Sequence, residues 1–281
     1  MRIRKLLRAA FLVAAATAVG LGTWAFVLEP SSLAAKHYAL PLPGWPAELD
    51  GLKVAVLADL HVGSPYVGID KLERIVQATN ELKPDLVLIP GDLVIDGVLG
   101  GRFVSPEDTA AVLARLSAPL GVWATLGNHD WWLGAQRVQS ALETRGIRVL
   151  EDEAARLVHR GSHFWLAGIS DFWEGRHDVR KALASVTDGA PVLAFTHNPD
   201  VFPDLPRRVI LLVAGHTHGG QVRLPLLGAP VVPSRYRQRF VQGHIVEEER
   251  HLFVSSGIGT SILPVRFRVP PEITLLELRR R

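Results

Sequence analysis

The chain has 281 residues, 48% of them hydrophobic and 21% charged, a composition that fits a folded protein and excludes a disordered one. It contains no cysteine, which excludes disulfides, thiolate metal sites and a cysteine nucleophile. The net charge of +3 depends on four basic residues before residue 9. The rest of the chain has 27 basic and 28 acidic residues, so nucleic acid is not expected as a partner.

The first predicted element is an apolar N-terminal segment, residues 1–28. Ala9 to Leu28 are 20 residues without a charge, enough for a membrane-spanning helix and longer than the apolar part of a signal peptide. We therefore predict an uncleaved anchor in the cytoplasmic membrane. A signal peptide cleaved near "SSLAA" and a soluble core helix are the alternatives. The basic residues before Ala9 predict a cytoplasmic N-terminus and an extracytoplasmic domain, whereas a helix lying flat in the interface would put the domain on the cytoplasmic face.

Residues 29–50 are rich in proline and small residues and are predicted to be a linker, followed by one domain over residues 51–281. The first half of the domain alternates strands with helices, predicted in "LKVAVLADLH", "GIDKLERIVQATNELKP", "PDLVLIPGDLV", "SPEDTAAVLARLSA", "LGVWATLGNHD" and "AQRVQSALETRGI". The second half is mostly strand and begins with a hairpin, "ARLVHR" and "HFWLAGIS". This order predicts an α/β fold in which two mixed sheets pack face to face, with helices outside.

Polar residues follow five of the predicted strands: Asp59, His61, Asp92, Asn128, His129, His197, His216 and His218. Taken alone, "GD" and "GNHD" are typical of turns, and a single histidine such as His197 is more often structural. Taken together, they gather at the carboxyl ends of strands, where α/β sheets bind ligands. Imidazoles, carboxylates and an amide without thiols suit Mn²⁺, Fe, Zn²⁺ or Mg²⁺. The sequence thus predicts a metal centre.

The motif set "DLH", "GD", "GNHD", "TH" and "GHTH" resembles the calcineurin-like metallophosphoesterases over about residues 53–278. "GHTHGGQ" and "SSGIGTSILPVRFRVPPEITLLEL" are similar to its bacterial membrane-associated, YaeI/YkuE-like branch. The resemblance implies a four-layer α/β/β/α sandwich and two divalent metal ions, with Mn²⁺ the first expectation. One small departure is Ala58, where many relatives have serine, and it touches no expected ligand.

The resemblance also assigns roles, position by position. The expected ligands of the first ion are Asp59, His61 and His218. The expected ligands of the second ion are Asn128, His197 and His216. Asp92 would bridge the ions, and His129 would face the phosphate and assist the leaving oxygen. Asp130 would orient His129, although a simple turn role fits its position nearly as well.

Candidate substrate-binding residues lie beside these motifs. Trp131 and Trp132 directly follow "GNHD", and "SDFWEG" adds Phe172 and Trp173. They would form an apolar lip for acyl chains or the membrane surface, or else pack under a loop. In "RYRQRF", three alternate arginines, Arg235, Arg237 and Arg239, would share one face of an extended segment. That face would hold an anionic headgroup or simply be solvated.

The predicted function is a membrane-tethered phosphoesterase that hydrolyses a phosphodiester or pyrophosphate, with a membrane lipid or lipid A precursor as the candidate substrate. Its expected partners are this phosphoester and the bilayer. One alternative is a phosphatase or phosphodiesterase of a soluble substrate such as a nucleotide. Another is a metal-holding scaffold without turnover, although a scaffold has no need of His129. A nuclease is disfavoured because the body of the chain has almost no net charge.

Overall fold

The structure is a computed structural model that describes residues 2–95 and 97–281. It begins with helix α1 (Arg2–Thr23), which continues through a π-helical turn (Trp24–Leu28) into α2 (Glu29–Ser31). At 1.5 Å per residue, the 22 residues of α1 are about 33 Å long. No residue of α1 is buried, and the whole segment Arg2–Ser31 is long and apolar enough to cross a membrane.

Twelve strands form two sheets within the described residues. The first sheet has the order β1-β12-β2-β3-β4-β5, with β1 Ala34–Leu42, β12 Glu272–Arg280, β2 Leu52–Val56, β3 Leu86–Pro90, β4 Val122–Thr125 and β5 Arg148–Val149. The second has the order β10-β11-β9-β8-β7-β6, with β10 Gly243–Glu247, β11 Arg250–Val254, β9 Val209–Ala214, β8 Val192–Thr196, β7 Ser162–Ile169 and β6 Glu153–His159.

Four layers result, so the predicted sandwich of two mixed sheets is confirmed. Helices α3 (Ile69–Glu81), α4 (Pro106–Leu113) and α5 (Asn128–Thr144) cover the first sheet. A second core lies between the sheets, and a third lies under α6 (Val179–Ala182) and short 3₁₀ turns. The strands are continuous apolar runs because they are buried on both faces.

Residues 34–42 differ from the prediction, which placed them in a linker. They form β1, which pairs in parallel with β12 from Ala34 to Leu42 along the edge of the first sheet. Its residues alternate between exposed and partly buried, and it carries Lys36 and Pro41, residues that are tolerated on edge strands. The alternating pattern of apolar residues in β1 is weak because only its carboxyl-terminal end reaches the core.

The central strands position the site. β2, β3 and β4 run parallel in the first sheet, and β8, β9 and β11 run parallel in the second. The carboxyl ends of parallel strands share one edge of their sheet, so the following loops lie together. The loops that follow the parallel strands of the two sheets meet, since ligand atoms from both sheets lie within 4.8 Å of one another.

Candidate metal centre

The seven candidate ligands follow five strands and meet at this edge. Asp59 and His61 follow β2, Asp92 follows β3, and Asn128 lies at the start of α5 after β4. The other three follow strands of the second sheet: His197 follows β8, and His216 and His218 follow β9. All seven side chains are at most 4% exposed, which is rare for polar residues without strong partners.

Two groups of ligand atoms share one carboxylate. Asp59, His61, Asp92 and His218 form the first group, and Asp92, His197 and His216 form the second. Within each group the atoms lie within 4.8 Å of one another. Asp92 Oδ2 is 3.4 Å from His61 Nε2 and 3.3 Å from His197 Nε2, so it lies between the groups.

Asn128 joins the second group. Its Oδ1 is 3.1 Å from His197 Nε2, and His216 Nδ1 is 2.9 Å from the same nitrogen. In the first group, His61 Nε2 and His218 Nε2 are 3.1 Å apart. Each group therefore directs several lone pairs into one small volume, an arrangement that a cation stabilises.

Backbone carbonyls orient two of the imidazoles. His61 Nδ1 donates to Val94 O at 3.2 Å, and His197 Nδ1 donates to Pro90 O at 3.0 Å. In both rings the second nitrogen, Nε2, then faces Asp92. Metal-binding histidines commonly have such a partner, which fixes the tautomer and the ring orientation.

Burial and mutual charge set the protonation states. Burial lowers the pKa of His61 to about 3 and also lowers the pKa values of His216 and His218, so these rings are neutral, the form that binds metals. Burial opposes ionisation of Asp92, but the His197 and His61 rings hold its pKa well below the usual range. Burial also disfavours a charged His197, yet the Asp92 carboxylate raises its pKa to about 10.

The candidate ligands have unusual backbone conformations. Asp59, His61, Asp92, His216 and His218 all have φ between 43° and 68°. Residues other than glycine adopt this left-handed region at a cost of about 1–3 kcal/mol each, and such strain concentrates at functional sites. Five strained residues at one centre indicate that the ligand geometry is maintained at the expense of stability.

Two glycines allow the backbone to approach the carboxylates. A Cβ atom on Gly127 would lie 2.3 Å from Asp92 Oδ1, and one on Gly215 would lie 2.8 Å from Asp59 Oδ2. Neither distance is compatible with a side chain. The glycines before "NHD" and "HTH" are therefore explained by close approach of the backbone to the two carboxylates.

The donor set fits two divalent ions. Asp59 Oδ2 is fully buried and has no hydrogen-bond partner among the described residues, although Oδ1 of the same carboxylate accepts from His216 N at 2.8 Å. A buried carboxylate oxygen without a partner is costly unless a cation binds it. Imidazole nitrogens with carboxylate and amide oxygens suit Mn²⁺, Fe or Zn²⁺.

His129 lies at the opening of the centre. Its ring centroid is 4.7 Å from that of His61, and its backbone N–H donates to Asp92 Oδ1 at 2.9 Å. Asp130 accepts three backbone N–H groups with its carboxylate, from Leu93, Val94 and Gly127. These bonds favour the turn role for Asp130, because they hold the Asp92 loop against the first turn of α5.

The two adjacent tryptophans have different environments. Trp131 is partly buried and packs against the core beneath the first sheet's helices. Trp132 is 49% exposed, and its ring lies 4.8 Å from that of His129. Its Nε1 donates to Glu174 at 2.9 Å, and Trp173 packs edge-on against His216 at 4.3 Å. Trp132, in the first turns of α5, and Trp173, on a loop, thus flank the centre.

The arginine segment is not extended, so the prediction that Arg235, Arg237 and Arg239 share one face is wrong. Residues Arg237–Phe240 form a 3₁₀ turn, because the chain just before it is tied to the buried Asp200, whose carboxylate accepts from the Ser234 hydroxyl and from the backbone N–H of Arg235. Arg239 forms a two-pronged ion pair with Glu247. Arg237 is exposed. The Arg235 guanidinium stacks 4.0 Å from the ring of Phe172. Phe172 lies on the same loop as Trp173, so Arg235 is the arginine of this segment that lies near the metal centre.

Sequence reasoning missed one loop, residues 255–268 after β11. Ser261 Oγ lies 3.4 Å from His129 Nε2, and Ser261 N donates to Gln221 Oε1 at 2.8 Å. A Cβ atom on Gly259 would lie 2.6 Å from His61 Cβ. The available signal was the small-residue run "SSGIGTS", which follows a buried strand like the ligand motifs. In the sequence this run marks only the family branch and indicates no role for its residues at the site, because it contains no metal-binding residue type.

Comparisons with known proteins agree with this geometry. Residues 52–220 match the family model described as "Calcineurin-like phosphoesterase". The chain is 35% identical to "Phosphodiesterase YaeI" of Escherichia coli over 80% of this chain and 82% of that protein. It is 30% identical to "Uncharacterized metallophosphoesterase YkuE" of Bacillus subtilis, over 94% and 92% of the two chains.

A third relative is named for a lipid-linked substrate. The chain is 27% identical to "UDP-2,3-diacylglucosamine pyrophosphatase LpxG" of Chlamydia trachomatis, over 90% of this chain and 91% of that protein. The family match and the two groups of buried ligands together establish a dinuclear metal-binding site of aspartate and histidine residues. The chain therefore belongs to the calcineurin-like phosphoesterase family and is a metal-dependent hydrolase of phosphoric esters.

Proposed function

We propose that this protein is a membrane-anchored, two-metal enzyme that hydrolyses a phosphodiester or pyrophosphate bond in a membrane lipid, a lipid A precursor being one candidate. One observation carries the proposal: the two groups of buried ligand atoms share Asp92, whose Oδ2 lies 3.4 Å and 3.3 Å from an imidazole of each group. Two divalent ions held by these groups would polarise a bound phosphate and lower the pKa of a bound water.

The residues divide the work. Asp59, His61 and His218 would hold the first ion, Asn128, His197 and His216 would hold the second, and Asp92 would be shared by both. Mn²⁺ is the ion we propose, since nitrogen and oxygen donors suit it and no thiolate competes.

His129 acts on the phosphate and not on the metal. Its Nε2 faces Ser261 Oγ at the opening of the centre, at the side where a leaving oxygen would lie. A proton held on this ring neutralises that oxygen as the bond breaks. Asp130 ties the first turn of α5, which carries His129, to the Asp92 loop, and Trp132 packs beside the His129 ring and would limit the entry of water.

The lipid substrate is supported by the N-terminal helix and by the name of one relative. Trp132 on one side and Arg235 on the other would contact the acyl and charged parts of a lipid, and Trp131 supports Trp132 from the core. Arg237 is exposed nearby and would bind a headgroup from further out. The basic residues before Ala9 favour a domain outside the cytoplasm, which a reporter enzyme fused after Arg281 would test.

The test is turnover by the purified full-length protein with Mn²⁺. The substrates are a soluble phosphodiester, a nucleotide, and phosphodiester and pyrophosphate lipids in vesicles and in micelles. We expect hydrolysis of a lipid with a higher kcat/KM than of the nucleotide, and its loss in Asp92→Asn. The proposal is wrong if the protein turns over the nucleotide but no lipid, or if Asp92→Asn retains full activity.

A further inference from the structure

The end of the N-terminal helix is packed on the domain. Ala25 is buried, and its carbonyl accepts from Arg266 N at 2.9 Å. One residue further on, the carbonyl of Phe26 accepts from Tyr66 Oη at 2.6 Å. The helix therefore leaves the domain at one defined place, between the loops that carry Tyr66 and Arg266.

Buried charges secure this end of the helix. Glu29 is 5% exposed, and its carboxylate accepts from the backbone of Val269 and from Trp24 Nε1. Lys71 Nζ donates to the carbonyl of Ser31 at 2.6 Å, one of the helix-end carbonyls that have no partner within the helix. These contacts indicate a helix that stays attached, because cleavage after it would leave Lys71 and Val269 without them.

The length of the apolar run determines where the contact between helix and domain lies relative to the bilayer. Ala9 to Leu28 are 20 uncharged residues, or about 30 Å of helix, which equals the hydrocarbon thickness of a bilayer. Contact with the domain begins at Ala25, before the run ends. If the run spans the bilayer, the domain surface around Arg266 and Tyr66 must therefore lie at the hydrocarbon boundary.

A single short loop connects this surface to the metal centre. Ser261 touches His129, and Arg266, five residues later, touches the helix. Five residues span at most about 18 Å even when fully extended. Between them, Ile262 is 71% exposed and Leu263 is 46% exposed.

A second loop brings another apolar side chain to the same place. Leu99, which is 65% exposed, donates its N–H to the carbonyl of Ile262 at 2.9 Å. A Cβ atom on the next residue, Gly100, would lie 3.5 Å from Pro65, and Tyr66 follows with its bond to the helix. Leu99, Ile262 and Leu263 form what we call the apolar rim, between the centre and the helix.

We infer that the apolar rim inserts into the bilayer surface beside the anchor, so that the metal centre opens at the membrane interface and not toward bulk water. Continuity with the spanning helix argues for lipid as the occupant. Two exposed arginines on the same loops, Arg102 and Arg268, would match anionic headgroups. Ile262 has φ of 63°, a strained conformation for a β-branched residue that presents its side chain outward. The inference rests on the membrane anchoring of the proposed function.

The test measures insertion and needs no turnover, so it can fail or succeed independently of the proposed function. Because the chain has no cysteine, Ile262→Cys, Leu99→Cys and Val158→Cys each provide one labelling site. Val158, 54% exposed on β6, is the matched control far from the helix. Each full-length variant carries an environment-sensitive fluorophore in vesicles of phosphatidylethanolamine and phosphatidylglycerol with a nitroxide near the headgroup.

We expect quenching at Ile262 and Leu99 to exceed that at Val158 by about threefold or more, because interfacial apolar groups penetrate ~5–10 Å. If labelling at position 262 unfolds the protein, which a melting curve detects, the comparison uses the quenching measured at position 99. Equal quenching at all three positions would overturn the inference. Selective crosslinking of Ile262→Cys between two chains at low protein-to-lipid ratio would also overturn it, since a second copy would then cover the rim.

Discussion

At the scale of single residues, the positions of the candidate ligands were predictable and those of the residues that support them were not. Each ligand ends an apolar run, so its position on the shared sheet edge follows from the strand before it. Ser261 and Gln221 could not be placed in this way, because they meet across 40 residues of sequence. The sequence left two roles open for Asp130, orienting His129 or stabilising a turn, and its bonds to backbone N–H groups favour the turn role, a choice that depends on the exact path of the loop.

The first prediction separates a bridging ligand from a proton donor. Asp92→Asn keeps the acceptor for His129 N but removes the charge shared by both groups, so we expect it to lose most of both ions. His129→Ala should keep about two ions while turnover falls by about 10²–10⁴-fold. Metal content per chain and kcat measure the two effects. Asp204→Asn, at an exposed carboxylate, is the control. Equal metal loss in both variants would show that this division of roles is wrong.

The second prediction separates Trp131 from Trp132. Trp131→Ala should lower the free energy of unfolding by about 3 kcal/mol, the lower end for buried aromatic residues, because it packs on the core. Trp132→Ala should unfold at nearly the wild-type urea concentration but raise the KM for a phosphodiester, because its ring lies beside His129. Urea titrations and steady-state kinetics provide the comparison. Similar stability losses in both variants would contradict the assignment.

At the scale of secondary structure, strong apolar patterns predicted the strands that lie in the core. β2, β3, β8 and β9 appear where uninterrupted apolar runs occur, and α4 lies within the predicted helix "SPEDTAAVLARLSA", capped by Ser105. β1 was not predicted, because an edge strand is half exposed and lacks a clear apolar pattern. Each residue of β1 also pairs with a β12 residue that lies 238 positions later in the sequence, a contact that local sequence does not indicate. The 3₁₀ turn at Arg237 was not predicted, because it depends on hydrogen bonds to Asp200, which is distant in the sequence.

The third prediction concerns the loop after β5. Glu151 accepts from Leu126 N at 2.8 Å and so holds the end of β4, and burial raises its pKa to about 8. The folded state thus keeps this proton while the unfolded state loses it near pH 4.5. The contribution of Glu151 to stability is therefore fully present below that pH and is lost as the pH rises through about 8.

Glu151→Gln removes this titration while keeping an acceptor for Leu126 N. The melting temperature of the variant minus that of the wild type should increase between about pH 5 and pH 8, and the difference should then stay constant. Thermal melts of the two proteins across this range, with the metal content held equal, measure the difference. A difference that stays constant with pH would contradict the raised pKa.

At the scale of the whole molecule, the metal centre joins the two sheets. Asp59, His61 and Asp92 come from the first sheet, and His197, His216 and His218 from the second. The sequence predicted this meeting only through the family resemblance, since periodicity does not tell how two sheets face each other. The packing of the helix end on the Arg266 loop had no sequence signal, because its bonds are made largely by backbone carbonyls.

The fourth prediction follows from the shared centre. Ions that bind only the folded state stabilise it, by about 2.7 kcal/mol at a hundredfold excess over Kd. Mn²⁺ added to chelator-treated protein should therefore raise the melting temperature of the wild type. The same addition should raise the melting temperature of Asp92→Asn much less. Differential scanning calorimetry on the full-length protein in micelles gives both values. An equal response in the two proteins would place the stabilising metal elsewhere.

The claim at the centre of this account is that two ions bind side by side and share Asp92. Anomalous diffraction at the manganese edge, on crystals of the full-length protein grown with Mn²⁺, tests it directly. We expect two anomalous peaks about 3.5–4 Å apart, one on each side of the Asp92 carboxylate. A single peak, or two peaks that do not share Asp92, would contradict the two-metal centre.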